Sequence, residues 1–383
     1  MMEAKQLASI NFFMCHSLNK PMRSIFIFNP ENDLALANGG PNYTAPPFAQ
    51  QLRRDLQLLP AWYAPAGSAV VCKGAKRVQR WLNAQGLDVE AMEPEWLRGI
   101  GGCRFEPWGW SPAMLHWLEG RGVGRDCLPT TAQVDGWRCL SHRRTSLAIH
   151  RAIAAMAGGP LSPEPVELDR LDAVLRFAAA HPSCYVKSPW SGSGRGVYRV
   201  LQPSARDFAQ WCSGIIKRQG SVMCEQALDR CLDFALELRC SGGGCRVDGY
   251  SVFASDFHSQ YAHGIVAGAD ELRAMVAELY PGFDAVEQMA VESVRRVVAA
   301  RYTGWIGLDM LLYRTSGGTV GIDPCVELNL RPTMGLVAAA CGRRGMRGRF
   351  MIAAPHSVAA GATLLTPVGP DSAFCAAVVP EKG

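Results

Sequence analysis

Between Lys187 and Val197 the chain places Ser191, Gly192, Ser193, Gly194, Arg195 and Gly196 in one short loop. Tyr185, Val186 and Lys187 read as the end of a strand, and Val197 to Val200 as the start of the next. Glycines in such a loop accept positive φ and leave no Cβ in the way of a close ligand. Successive backbone N–H groups can then turn inward as a nest for an anion, to which Lys187 and Arg195 add full positive charge. The chemistry this suits is a polyphosphate, most simply that of ATP. A glycine-rich hairpin turn without a ligand would use the same residues. No Gly-x-x-x-x-Gly-Lys-Ser/Thr string occurs, the loop opens a strand rather than a helix, and the lysine precedes the glycines. Those features separate it from the P-loop, the Rossmann turn and the protein-kinase loop.

A second set of chemically capable residues follows more than a hundred positions later. The segment around Asp309 alternates in a strand-like way, and Glu327, Asn329 and Arg331 alternate with Val326, Leu328 and Leu330 across a Ser-Gly-Gly turn at 316–318. Period-two alternation puts Glu327, Asn329 and Arg331 on one face, with Asp309 on the partner strand near enough to share it. Two carboxylates and an amide oxygen are the hard ligands that Mg²⁺ takes when substrate phosphates complete its shell. A solvated strand face with a Glu327–Arg331 salt bridge would account for the charges but not for Asn329.

The lysine-then-glycine hairpin followed by the Asp…Glu-x-Asn-x-Arg strand pair resembles, in order and spacing, the ATP-grasp superfamily, over roughly residues 140–340. The resemblance implies an α/β and α+β protein, a small N-terminal α/β domain followed by a two-lobed ATP-grasp domain. It divides the chain into an extension at 1–21, a pre-ATP-grasp domain at 22–140, lobes at 141–220 and 221–345, and a C-terminal segment at 346–383. It also implies a cytoplasmic ATP- and Mg²⁺-dependent ligase that activates a carboxylate as an acyl phosphate for attack by an amine. A kinase acting on a small-molecule hydroxyl and a non-catalytic nucleotide binder are the alternatives.

Carried onto this sequence, the resemblance gives Lys187 and Arg331 catalytic roles, and makes Asp309, Glu327 and Asn329 the metal ligands. Lys187 and the loop 191–196 would also hold phosphates. Family members usually have a lysine at the start of the preceding helix; here Arg143 or Arg144 stands in its place, with Arg143 preferred. Gln226 and Ala227 would meet the adenine edge with their backbones, and Glu225 or Asp233 the ribose. Asp233, Glu237 and Arg239 alternate onto one face, as a solvated strand would, and the resemblance turns Glu237 or Arg239 towards the phosphates. Asp256, His258, Tyr261 and His263 lie where substrate contacts are common, or form an ordinary polar loop.

Several elements must position these groups. Ile25 to Phe28 form a continuous apolar run of the kind buried in a parallel sheet, followed by Asn29, Glu31, Asn32 and Asp33 and then a helix over 48–58. Polar residues at a strand's C-terminal end are where open α/β sheets bind ligands, although the same residues also serve to turn the chain. Trp81, Trp96, Trp108, Trp110 and Trp117 are read as packing around this N-terminal domain. Ser141 suits an N-cap for the helix that carries Arg143. Further helices are expected over 76–83, 169–180, 205–217 and 284–301, and a terminal strand pair over 363–366 and 374–379. The net charge of +5 contains no basic block and gives no case for nucleic acid. No apolar run is long enough to cross a bilayer. Fourteen scattered cysteines without metal-ligand spacing read as buried thiols in a reducing compartment.

Overall fold

Three sheets, each with a different burial logic, organise the chain. A computed structural model describes residues 22–192, 196–256 and 261–381. The first sheet is built from β1 (Arg23–Ile27), β2 (Ser68–Val71), β3 (Val89–Met92) and β4 (Cys103–Pro107), all parallel in the order β3-β2-β1-β4. Ile25 and Ile27 pack on one face and Phe26 and Phe28 on the other, so the run has no polar alternation. Around it lie α1 (Asn32–Asn38), α2 (Pro47–Asp55), α3 (Ala75–Ala84), α4 (Pro112–Glu119) and α5 (Thr131–Leu140). Because β2 and β4 flank β1 on opposite sides, the strand order reverses at β1.

Next come α6 (Arg144–Ala157), β5 (Val166–Leu168), α7 (Leu171–Ala180), β6 (Cys184–Lys187), β7 (Val197–Val200), α8 (Arg206–Gln219) and β8 (Val222–Gln226). The four strands form an antiparallel sheet, β5-β8-β6-β7. Val174 and Ala178 of α7 and Phe208, Cys212 and Ile215 of α8 cover its apolar side against Val186, Val200, Val222 and Cys224.

The third sheet has eight strands in the order β13-β12-β9-β10-β11-β14-β16-β15, antiparallel throughout. They are β9 (Asp229–Ser241), β10 (Gly244–Ser255), β11 (Tyr261–Val266), β12 (Gly304–Arg314), β13 (Val320–Asn329), β14 (Gly348–Ala353), β15 (Thr363–Leu364) and β16 (Cys375–Val379). Leu236, Leu238, Leu308, Met310 and Leu328 face α6, α9 (Ala269–Leu279) and α10 (Phe283–Val294). The opposite face stays polar near its centre. There α11 (Met334–Arg343) runs between the large sheet and the N-terminal sheet, its Leu336, Val337, Ala338 and Ala340 sharing one core with Phe26, Phe28 and Phe350.

Three expectations change. Ser141 does not cap the helix that carries Arg143; α5 ends there and α6 starts at Arg144, with Arg143 at its N-cap. A capping box of Thr130 and Gln133 starts α5, an element absent from the sequence reading. Trp96 is 50% exposed, so it packs around the N-terminal domain less than expected. The expected helix over 284–301 stops at Val294 and continues as a π-helical turn, Arg295–Ala299. The described cysteines are all unpaired. No helix among the described residues is long and apolar enough to cross a membrane.

Candidate functional site

The polar face of the large sheet and the hairpin face of the smaller one enclose a cleft. It is lined by Arg143, Lys187, Glu225, Gln226, Asp233 and Glu237 on one part of its wall, and by Asp309, Asp323, Glu327, Asn329 and Arg331 on another. Tyr185, Val197, Leu228, Phe253, Met310 and Leu311 give it an apolar portion.

Register explains why the acids meet. Asp309 on β12 pairs directly with Glu327 on β13, and Gly307 pairs with Asn329. On the other side of β12, Gly307 pairs with Glu237 of β9. Paired residues share a face, so Glu237, Asp309, Glu327 and Asn329 converge while Leu236, Leu308 and Leu328 point into the core. Asn329 Nδ2 donates to Asp309 Oδ2 at 3.2 Å. Burial, reinforced by the charges of Glu327 and Glu237, pushes Asp309 up to about 8. Burial raises Glu237 to about 7, although Thr333 and Ser251 hydroxyls donate to its Oε1 at 2.7 and 3.1 Å. Asp323 is also pushed up by burial and then by Glu225.

Cations surround this acidic centre. Arg143, 5% exposed, places Nη2 2.8 Å from Glu327 Oε1 and donates to Ser191 Oγ and the Ser188 carbonyl at 3.1 Å. Its Nη1 is buried without a hydrogen-bond partner among the described residues. Arg144, by contrast, points outward to Glu167, which settles which of the two arginines faces the cleft. Lys187 is ion-paired with Glu225 across the β6–β8 pair. Arg331 is not paired with Glu327. Its Nε and Nη2 clasp the carboxylate of Asp33 at 2.7–3.2 Å, reaching from the end of β13 to the first turn of α1. Gly192 lies against this clasp so closely that a Cβ there would overlap the Asp33 carboxylate.

Other candidates are dispersed. Arg239 is not among the cleft-lining residues: it pairs with Glu106 of β4 at 3.1 Å and stacks 4.8 Å above Trp305. Ala227 is not a lining residue either, and its N–H is taken by the Ser183 carbonyl at 3.0 Å, while its neighbours Gln226 and Leu228 do line the cleft. Asp233 lines it with an ion pair to Arg230 at 2.9 Å. Gly196 closes the hairpin at φ +74°, its carbonyl accepting from the Ser188 N–H at 2.8 Å. Ser193, Gly194, Arg195 and His258 lie outside the described residues. Tyr261 lines the cleft and His263 sits on β11.

Sequence reasoning left Asp33 between a ligand-binding position at the strand's end and a simple turn of the chain, and did not foresee its grip on Arg331. The one usable signal was its place after a buried parallel strand. Asp323 and Ser251 carried no local signal, because only the pairing of strands brings them to the cleft, and Thr333 reaches Glu237 from the N-cap of α11.

Among the described residues no three His, Cys, Asp or Glu side chains form a metal cage by themselves. Asp309, Glu327 and Asn329 instead offer two carboxylates and an amide, a donor set that fits a Mg²⁺ whose shell is finished by phosphate oxygens. The raised pKa of Asp309 fits a carboxylate placed for a cation. The orphaned Arg143 Nη1 fits a phosphate oxygen.

No protein-family model matches the chain, and no curated protein matches it. Solved structures do. The biotin carboxylase domain of Hydrogenobacter thermophilus 2-oxoglutarate carboxylase superposes with a TM-score of 0.52 at 11% identity, over 94% of this chain and 87% of that one. Campylobacter jejuni biotin carboxylase gives 0.51 at 12% identity, over 94% and 87%. N5-carboxyaminoimidazole synthetase from Staphylococcus aureus gives 0.50 at 12%, over 95% and 96%.

Proposed function

The chain has the ATP-grasp fold, and from that premise we propose that it is an ATP- and magnesium-dependent ligase joining a carboxylate to an amine. The observation that carries the reading is the pairing of Asp309 with Glu327, with Asn329 hydrogen-bonded to Asp309, in the same cleft as Lys187 and Arg143. The similar structures are described with MgADP and bicarbonate, with β-γ-ATP and with ADP.

In this reading the apolar wall beside Gln226 and Leu228 takes the adenine ring, and Asp233 takes the ribose hydroxyls. Lys187 leaves Glu225 to neutralise phosphate oxygens, and Arg143 Nη1 finds the acceptor it lacks. Asp309, Glu327 and Asn329 would hold Mg²⁺, which would supply charge neutralisation of the phosphates. Arg331, fixed by Asp33, donates to the phosphoryl group as it passes to the substrate carboxylate. The P–O bond to ADP breaks, the acyl phosphate forms, and attack by the amine expels inorganic phosphate. Positioning and charge stabilisation provide most of the acceleration, so no side-chain nucleophile is needed.

A kinase would use the same nucleotide site. Turnover of ATP with pooled carboxylates and amines, followed by product analysis, tests the proposal. ADP, free phosphate and a new amide are expected. A phosphorylated hydroxyl would establish the kinase, and no Mg²⁺-dependent turnover would remove both.

A further inference from the structure

A second cavity opens at the C-terminal edge of the N-terminal parallel sheet, beyond the ends of β1 and β2. The strand order of that sheet reverses at β1, and in open α/β sheets ligands bind in the crevice at such a reversal. The cavity floor is Phe28, Val71 and Cys72, and its walls come from α2 and α4.

The charges on these walls do not balance. Arg53, Arg54, Lys73 and Arg121 line the crevice, against only Glu31 and Glu95. Glu31 Oε1 lies 3.2 Å from Arg53 Nη1, so that pair largely cancels. Among the described residues Arg121 has no carboxylate partner at ion-pair distance; its guanidinium carbon lies over Trp117, 3.6 Å from the ring centre, and its Nη1 donates to the Trp117 carbonyl at 3.3 Å. Arg53 approaches the same indole at 5.3 Å, bringing two guanidinium groups to one ring. Burial, then the neighbouring charge of Arg53, hold Arg121 below its ordinary range. Lys73 has no side-chain ion pair among the described residues. Stacked arginines keep their edge N–H groups free for an oxyanion, and a like-charged pair on one ring is relieved by one.

We propose that this crevice is a binding site for a small oxyanion ligand, a carboxylate or phosphate, gripped by Arg121 and Lys73 beside the Glu31–Arg53 pair. The site is separate from the nucleotide cleft in its lining residues, yet the segment 29–33 joins the two: Asn29 and Glu31 face the crevice while Asp33 holds Arg331.

Calorimetric titration of the full chain without nucleotide tests this, with succinate in one arm and inorganic phosphate in the other. Saturable binding is expected in at least one arm, and the arm that binds identifies the head group. Arg121→Met weakens it about tenfold, the worth of one charge-assisted hydrogen bond. Arg121→Lys retains part of it, and Lys73→Met, at an exposed position, weakens it in the same direction. Lys187→Met, which alters only the other cleft, leaves it unchanged. The proposal is overturned by no saturable binding in either arm, by wild-type affinity in both Arg121→Met and Lys73→Met, or by loss of binding in Lys187→Met. None of these results bears on ATP turnover, so failure here leaves the ligase reading intact.

Discussion

Asp309 and Glu237 accept hydrogen bonds only from neutral groups among the described residues, and both carboxyls are held protonated well above their usual range, to about 8 and about 7. In the unfolded chain both ionise near pH 4. Between those values the native protein holds more protons than the unfolded one, so stability falls as pH rises from about 4 to about 8. Denaturant melts across that range without divalent cations should show the decline, and Asp309→Asn should flatten its upper part. A stability that rises with pH over this window would contradict the assignment. Glu327 differs because it has a cationic partner. Glu327→Gln is expected to abolish turnover and also to cost about 1–3 kcal/mol, since the 5%-exposed Arg143 loses a charged acceptor. Melting with and without Mg-ATP separates the two effects. The loss in the absence of ligand reports Arg143, while loss of the protection that Mg-ATP confers reports the metal. Retention of wild-type turnover and wild-type Mg²⁺ dependence would remove the metal site.

At the scale of elements, what was legible followed short-range periodicity. The β12–β13 hairpin could be read because alternation fixes each strand's faces and a tight turn joins them, which put Asp309 on the face of Glu327. Their direct pairing was not legible, because a register shift between Asp309 and Leu311 moves it away from the one the turn sets. The shared face of Glu237 and Arg239 was legible for the same reason. What Arg239 meets was not, because Glu106 comes from a strand 133 positions away. Likewise, α5 was missed because Gly136 breaks its apolar period and Ser141 resembles a start signal. The glycine loop was legible as a close-approach element, but the approach that can be described is to Asp33 and Arg331 at Gly192. Gly192→Ala is therefore expected to displace the Asp33 carboxylate and lower turnover while changing the melting temperature little. Gly136→Ala serves as the control. Its Cβ meets nothing within 4 Å on an exposed helix face, so it should leave turnover unchanged and add about 0.5–1 kcal/mol of stability. Equal turnover in the two variants would show that Gly192 is needed for nothing but a turn.

For the molecule as a whole, among the described residues two ion pairs join the N-terminal part to the large sheet or the residues just beyond it, and they should behave differently. Glu106–Arg239 lies beside Trp305, away from the cleft lining, whereas the Asp33–Arg331 pair reaches the cleft through Arg331, which lines it. If both only dock one part on the other, Glu106→Gln and Asp33→Asn should have similar consequences. If Asp33 positions Arg331 for phosphoryl transfer, the consequences separate. Asp33→Asn should lower kcat about a hundredfold, the scale on which small misplacements act. It should leave KM for ATP nearly unchanged, because Arg331 works on the group in transit rather than on the resting nucleotide. Glu106→Gln should cost stability only. A double variant sharpens the test: once Arg331→Met has removed the guanidinium, adding Asp33→Asn should lower kcat no further. Arg331→Lys should rescue poorly, since a lysine cannot reproduce the two-nitrogen grip on the Asp33 carboxylate. Additive losses in the double variant, or a fall in kcat for Glu106→Gln matching that of Asp33→Asn, would reduce the Asp33–Arg331 contact to docking. The N-terminal sheet would then have no part in the chemistry.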